Sequence, residues 1–62
     1  MIEVSVGNEI LRTVKGTFDN GNEAVDFVYE LIKEGYNSDE IYLYFTNTGI
    51  IKTHTEILNK KF

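Results

Sequence analysis

Sixty-two residues, 42% apolar, without Cys or Pro and with a formal net charge of −4, define one small acidic domain. A chain this short hides only roughly 60% of the surface its unfolded form exposes, which excludes a second domain, a repeat array and a large enclosed substrate pocket. The absence of Cys removes disulfides, thiolate nucleophiles and Cys-based zinc sites. The apolar runs are too short for a membrane span or a signal peptide, so a soluble, cytoplasmic protein is expected.

Residues 1–18 predict a β-hairpin. Ile2, Val4 and Val6 alternate onto one face, and Gly7-Asn8 suits a two-residue turn because both residues tolerate positive φ. That turn sets Val6 opposite Glu9, Val4 opposite Leu11, and Glu3 opposite Arg12 as a favourable cross-strand charge pair. The same register sends Ile10 and Val14 to the other face. It requires either a bulge near Lys15-Gly16 or partial burial of both faces.

Residues 20–35 predict the clearest helix. Asn20 is the N-cap with Glu23 as capping-box partner, and Asn22 is a competing cap. Ala24, Phe27, Val28 and Leu31, flanked by Val25 and Ile32, recur at helical spacing. Gly35 and Tyr36 suit a Schellman ending against Leu31.

Residues 40–56 predict a second hairpin. Ile41 to Phe45 is apolar on both faces, as a central strand would be, and Asn47-Thr48-Gly49 suits a three-residue loop. This loop pairs Phe45 with Ile51, Tyr44 with Lys52, Leu43 with Thr53 and Tyr42 with His54. Thr53 and Glu56 could instead cap a short helix through Ile57, Leu58 and Lys61. The whole is expected to be a single α+β domain over residues 1–62. It has two layers in ββαββ order: a four-stranded, mainly antiparallel sheet with one helix on one face. Its strand order is open between a β-grasp-like arrangement, with the first and last strands in the middle, and one with Ile41 to Phe45 central.

Val14-Lys15-Gly16-Thr17-Phe18-Asp19, followed by Asn22-Glu23-Ala24, Leu31, Gly35-Tyr36 and Asp39-Glu40-Ile41, resembles the opening β-α-β unit of the heat-induced general stress protein family. The resemblance covers residues 14–45, about half the chain, and departs at the full hairpin placed before the helix. It implies a small stress-associated domain and assigns no catalytic residue.

Few groups converge for chemistry. The single histidine, His54, has no Cys partner, and no Ser lies in a nucleophile motif. Carboxylates on a convex helix face keep ordinary pKa values and hold a hard cation only loosely. No glycine cluster resembles a phosphate-binding loop. No enzyme activity, metal or cofactor is expected.

Two surfaces remain. Seven of the ten acids fall between Asp19 and Glu40 against one base, Lys33; among them Glu23, Asp26, Glu30 and Glu34 lie along one side of the helix. Like-charge pairs at i,i+4 each cost roughly 0.2–0.5 kcal/mol, and the stripe suits a basic protein partner or a mimic of a phosphate backbone. The second sheet face gathers Arg12, Tyr42, Tyr44, Lys52 and His54, with Ile10 and Val14 as further candidates. Aromatics among bases suit a single-stranded nucleic-acid platform, but the chain is acidic, and an open apolar face is commonly closed by a second copy. The sequence therefore points to a non-enzymatic interaction module, homodimeric through its sheet face. The alternatives are an inhibitor that mimics nucleic acid or a single-stranded nucleic-acid binder. Frequent Asn, Ile, Lys and Tyr fit the accessory proteins of low-GC bacteria and their phages or plasmids.

Overall fold

The computed structural model describes residues 1–58. Four strands, β1 (Ile2–Gly7), β2 (Arg12–Phe18), β3 (Ile41–Phe45) and β4 (Ile50–Thr53), form one sheet in the order β2-β1-β3-β4, every pairing antiparallel. Helix α1 (Gly21–Lys33) lies between β2 and β3 in the chain. Because β2 and β3 both oppose β1, they run parallel to each other, and α1 crosses over β1 from one to the other. The apolar strand β3 is central, as its two-faced sequence requires.

Local signals fix α1. The Asn20 side chain accepts from the Glu23 N–H at 2.9 Å and donates to the Glu23 carboxylate at 2.9 Å, which satisfies an orphan helix donor. At the other end Gly35 takes φ +114°. The Tyr36 N–H reaches back to the Leu31 carbonyl and the Gly35 N–H to that of Ile32, the two bonds of a Schellman ending. Ala24, Val28 and Leu31 are buried against Val4, Val6, Ile41 and Leu43, and Phe18, Phe27, Ile32, Tyr36 and Phe45 pack around them. Register agrees, since Val4 pairs with Leu43 and Val6 with Ile41 on the same sheet face.

The first hairpin departs from the expected two-residue turn. Gly7 pairs with Arg12, Val6 with Thr13 and Ser5 with Val14, leaving a four-residue loop, and Glu3 faces Thr17 rather than Arg12. A type I′ turn needs positive φ at both central residues; here only glycines have it, and Asn8 does not. Asn8 instead accepts from the N–H groups of Ile10 and Leu11 through its side chain, both at 2.8 Å. The bulge expected near Lys15-Gly16 is present: Val4 opposes Gly16 while Ser5 opposes Val14, so Lys15 is the extra residue. The shift brings Gly16 and Phe18 under α1, where Phe18 and Phe27 meet at 5.0 Å.

The second hairpin is out by one residue. Phe45 pairs with Ile50, Tyr44 with Ile51, Leu43 with Lys52 and Tyr42 with Thr53. The cause is Thr46. Its N–H and hydroxyl both donate to the Met1 carbonyl, at 3.1 and 2.9 Å, so it extends the β1–β3 pairing and the loop becomes 46–49. Gly49 holds the left-handed position at φ +75°.

The strand also stops early, at Thr53. The Thr53 hydroxyl accepts from the Glu56 N–H, and the Glu56 carboxylate accepts from the Thr53 N–H and hydroxyl. This capping box opens α2 (His54–Leu58), so a second short helix joins α1 on the same layer, with Ile57 packed on the core. Lys61, expected in this helix, lies outside the described residues. A 3-10 turn, Ser38–Glu40, leads into β3. Among the described residues no helix is long and apolar enough to cross a membrane.

Candidate functional site

The sheet face turned away from α1 is set by register. One row runs Thr17, Glu3, Tyr44, Ile51; the next runs Val14, Ser5, Tyr42, Thr53. Val14 is 52% and Ile51 40% exposed, and Tyr44 is half-buried. No element among the described residues covers them.

Arg12 closes one end of this face. Its guanidinium donates to the carbonyls of Glu9 at 2.8 Å and Asn8 at 3.2 Å, and its Cζ lies 5.0 Å from the centre of the Tyr42 ring. It thus ties the loop to the sheet, and with its neighbours it leaves Tyr42 only 9% exposed. A stacked cation of this kind is worth about 0.5–1 kcal/mol at an exposed site. Arg12, Tyr42 and Tyr44 therefore meet on the face as expected.

Lys52 and His54 do not. Lys52 pairs with Leu43 and belongs to the helix side. His54 opens α2 and is 2% exposed, its Nδ1 sharing a hydrogen bond with the Ser38 hydroxyl at 3.2 Å and its ring edge-on to Tyr29 at 5.8 Å. A one-residue slip exchanges the two faces of a strand, and that slip puts Ile51 where Lys52 was expected. Ile51 is the member of the face that sequence reasoning missed. Only the loop length could have revealed Ile51.

Burial pushes the His54 imidazole below its ordinary value of 6.5. Above that value the ring is neutral in both folded and unfolded chains. Below it the unfolded chain binds a proton that the folded chain resists, so stability falls with falling pH and levels off below the folded value. Chemical denaturation from pH 7.5 to 5 is expected to show this fall, and a His54→Gln variant to lack that part of it. Equal slopes would contradict the assignment.

The acidic stripe is present. Glu23, Asp26, Glu30 and Glu34 are all exposed along one flank of α1, with Tyr29 and Val25 on the other. Among the described residues the salt bridge found is Lys33 to Glu30, at 3.9 Å between two exposed side chains, an arrangement worth little. Among the described residues no group of three or more His, Asp or Glu gathers as metal ligands would.

No family model, curated protein or solved structure gives a significant match to this chain, so the stress-protein resemblance rests on the residues quoted for it alone.

Proposed function

We propose that this protein is a non-enzymatic interaction module that self-associates through the open face of its sheet. The observation that carries this reading is the uncovered Tyr44 and Ile51 of one row, with Val14 at the edge of the next row beyond the Tyr42 ring. Contiguous apolar surface of this kind marks association sites more often than chance exposure. The edges are less suited to pairing. The Lys15 bulge interrupts β2, and β4 has only four residues before α2 turns away; bulges and short edge strands both blunt edge-to-edge contact.

The face is also self-complementary. Glu3 and Arg12 lie at opposite ends, either side of the Ser5–Tyr42 rung. A twofold axis through that rung lays the Glu3 end of one copy over the Arg12 end of the other, as an isologous interface requires. Sedimentation equilibrium at micromolar concentration is expected to return a dimer. A monomer throughout that range would overturn the reading.

In such a dimer the acidic flank of α1 stays exposed on the far side of each sheet. Four carboxylates there would raise the association rate of a basic partner. An oligolysine peptide is expected to bind in low salt and to be released as the Debye length shortens towards about 8 Å. Replacing Asp26 by Asn and Glu30 and Glu34 by Gln should slow its association and leave the fold intact; unchanged rates would make the stripe a solvated surface only. The nucleic-acid alternative is less favoured, because Lys52 and His54 leave the face.

A further inference from the structure

We infer that the cleft between the β3–β4 hairpin and α2 binds an amphipathic anion, an apolar chain ending in a carboxylate. The cleft lies on the helix side of the sheet and is independent of the association face. Its volume is about 560 Å³, within the range of about 300–1,000 Å³ usual for small-molecule sites. Ile2, Phe45 and Ile50 form one continuous rung of its floor, Ile57 of α2 overhangs it, and Thr48 stands at the loop end.

Lys52 gives the site its sign. It occupies the core-facing position of β4 opposite the buried Leu43, where packing alone favours an apolar residue. Instead a half-buried cation lines an apolar cleft, and among the described residues no carboxylate lines that cleft and Lys52 forms no salt bridge. A lysine can lay its methylenes along apolar surface while its ammonium stays at the wet margin. An acyl chain over Phe45 and Ile50 would bury apolar area, and its carboxylate would reach that ammonium. A neutral chain would lack the charge contact, and a cationic one would meet repulsion.

Three probes of equal chain length separate these cases: dodecanoate, dodecanol and dodecyltrimethylammonium, each below its micelle concentration. Amide shifts in the full chain are expected to move saturably at Ile50, Lys52 and Ile57 with dodecanoate. Dodecanol should bind about tenfold more weakly, ~1.4 kcal/mol, and the cation more weakly still. Lys52→Met should erase the preference for dodecanoate over dodecanol, and Lys52→Arg should keep it. Ile50→Glu, at an exposed edge position, should abolish binding while the circular dichroism stays unchanged. Equal binding of all three probes, no saturable shift, or a preference that survives Lys52→Met would overturn the inference. Shifts of the same amides on dilution without any probe would mean that a second copy covers the cleft, and would overturn it too. Because Tyr44 and Ile51 lie on the other face, loss of self-association leaves this outcome unaffected.

Discussion

Gly7→Ala is expected to unfold most of the chain at 25 °C. Gly7 sits at φ +144°, a conformation that side chains other than hydrogen rarely adopt, and an added Cβ would collide with the Leu11 carbonyl oxygen and lie 2.9 Å from the Arg12 Cα. Both obstacles are backbone, so relief requires opening the Gly7–Arg12 rung. With that rung go the Asn8 side-chain bonds and the seat of Arg12 on Tyr42. Strain of this class costs about 1–3 kcal/mol before the collision is counted, while a chain of this length holds roughly 3–9 kcal/mol in total. Gly21→Ala is the control: nothing lies within 4 Å of its added Cβ, and denaturation should show little change. Gly7→Ala with the wild-type midpoint would mean that the loop is not as described.

Changing both Tyr44 and Ile51 to Asp is expected to weaken self-association about a hundredfold, ~2.8 kcal/mol, without loss of fold. The two residues are directly paired on the open face, half-buried and exposed respectively, so each carboxylate is solvated in the free chain. On association both would be taken from water, a burial that costs several kcal/mol for each carboxylate that is not paired. Tyr42 is the wrong residue for this test, since it is buried and held by Arg12. Sedimentation reads the dissociation constant, and circular dichroism confirms the fold. Val25→Asp, on the exposed flank of α1, should leave association unchanged. A double variant that dimerised like the wild type would remove the open face as the interface.

What could be read from the sequence was what short-range chemistry decides. Asn20 with Glu23, Gly35 with Tyr36, and Thr53 with Glu56 act over a few residues, and each formed the cap its spacing offered. The two-faced apolar run of β3 marked it as a central strand, but the strand order stayed open, and the alternation in β1 did not show that β1 would be its neighbour there. Loop lengths could not be read this way. Whether the second loop has three or four residues depends on Thr46 bonding to Met1, forty-five positions away, and no local signal carries that. The consequence was disproportionate for the candidate site. One residue of slip exchanged Ile51 for Lys52, replacing a basic platform by an apolar face, and it also placed the lysine beside the cleft. Arg12 was assigned to the correct face, but its bonds to the loop carbonyls depended on an Asn8 turn that the Gly7-Asn8 pattern concealed.

The β1–β3 pairing has a further consequence for how the chain reaches this state. Each hairpin and α1 close over a few residues, but residues 2–6 must find residues 41–45. Bringing the ends of a loop of about forty residues together costs roughly 3 kcal/mol of chain entropy, and no contact across the seam repays it until several rungs have formed. Joining the two halves is therefore the slow event in folding, with the hairpins and capped helix already fluctuating into place. Substitutions on the Val4–Leu43 rung are expected to slow folding, while those in β4, which adds to a seam already made, should chiefly quicken unfolding.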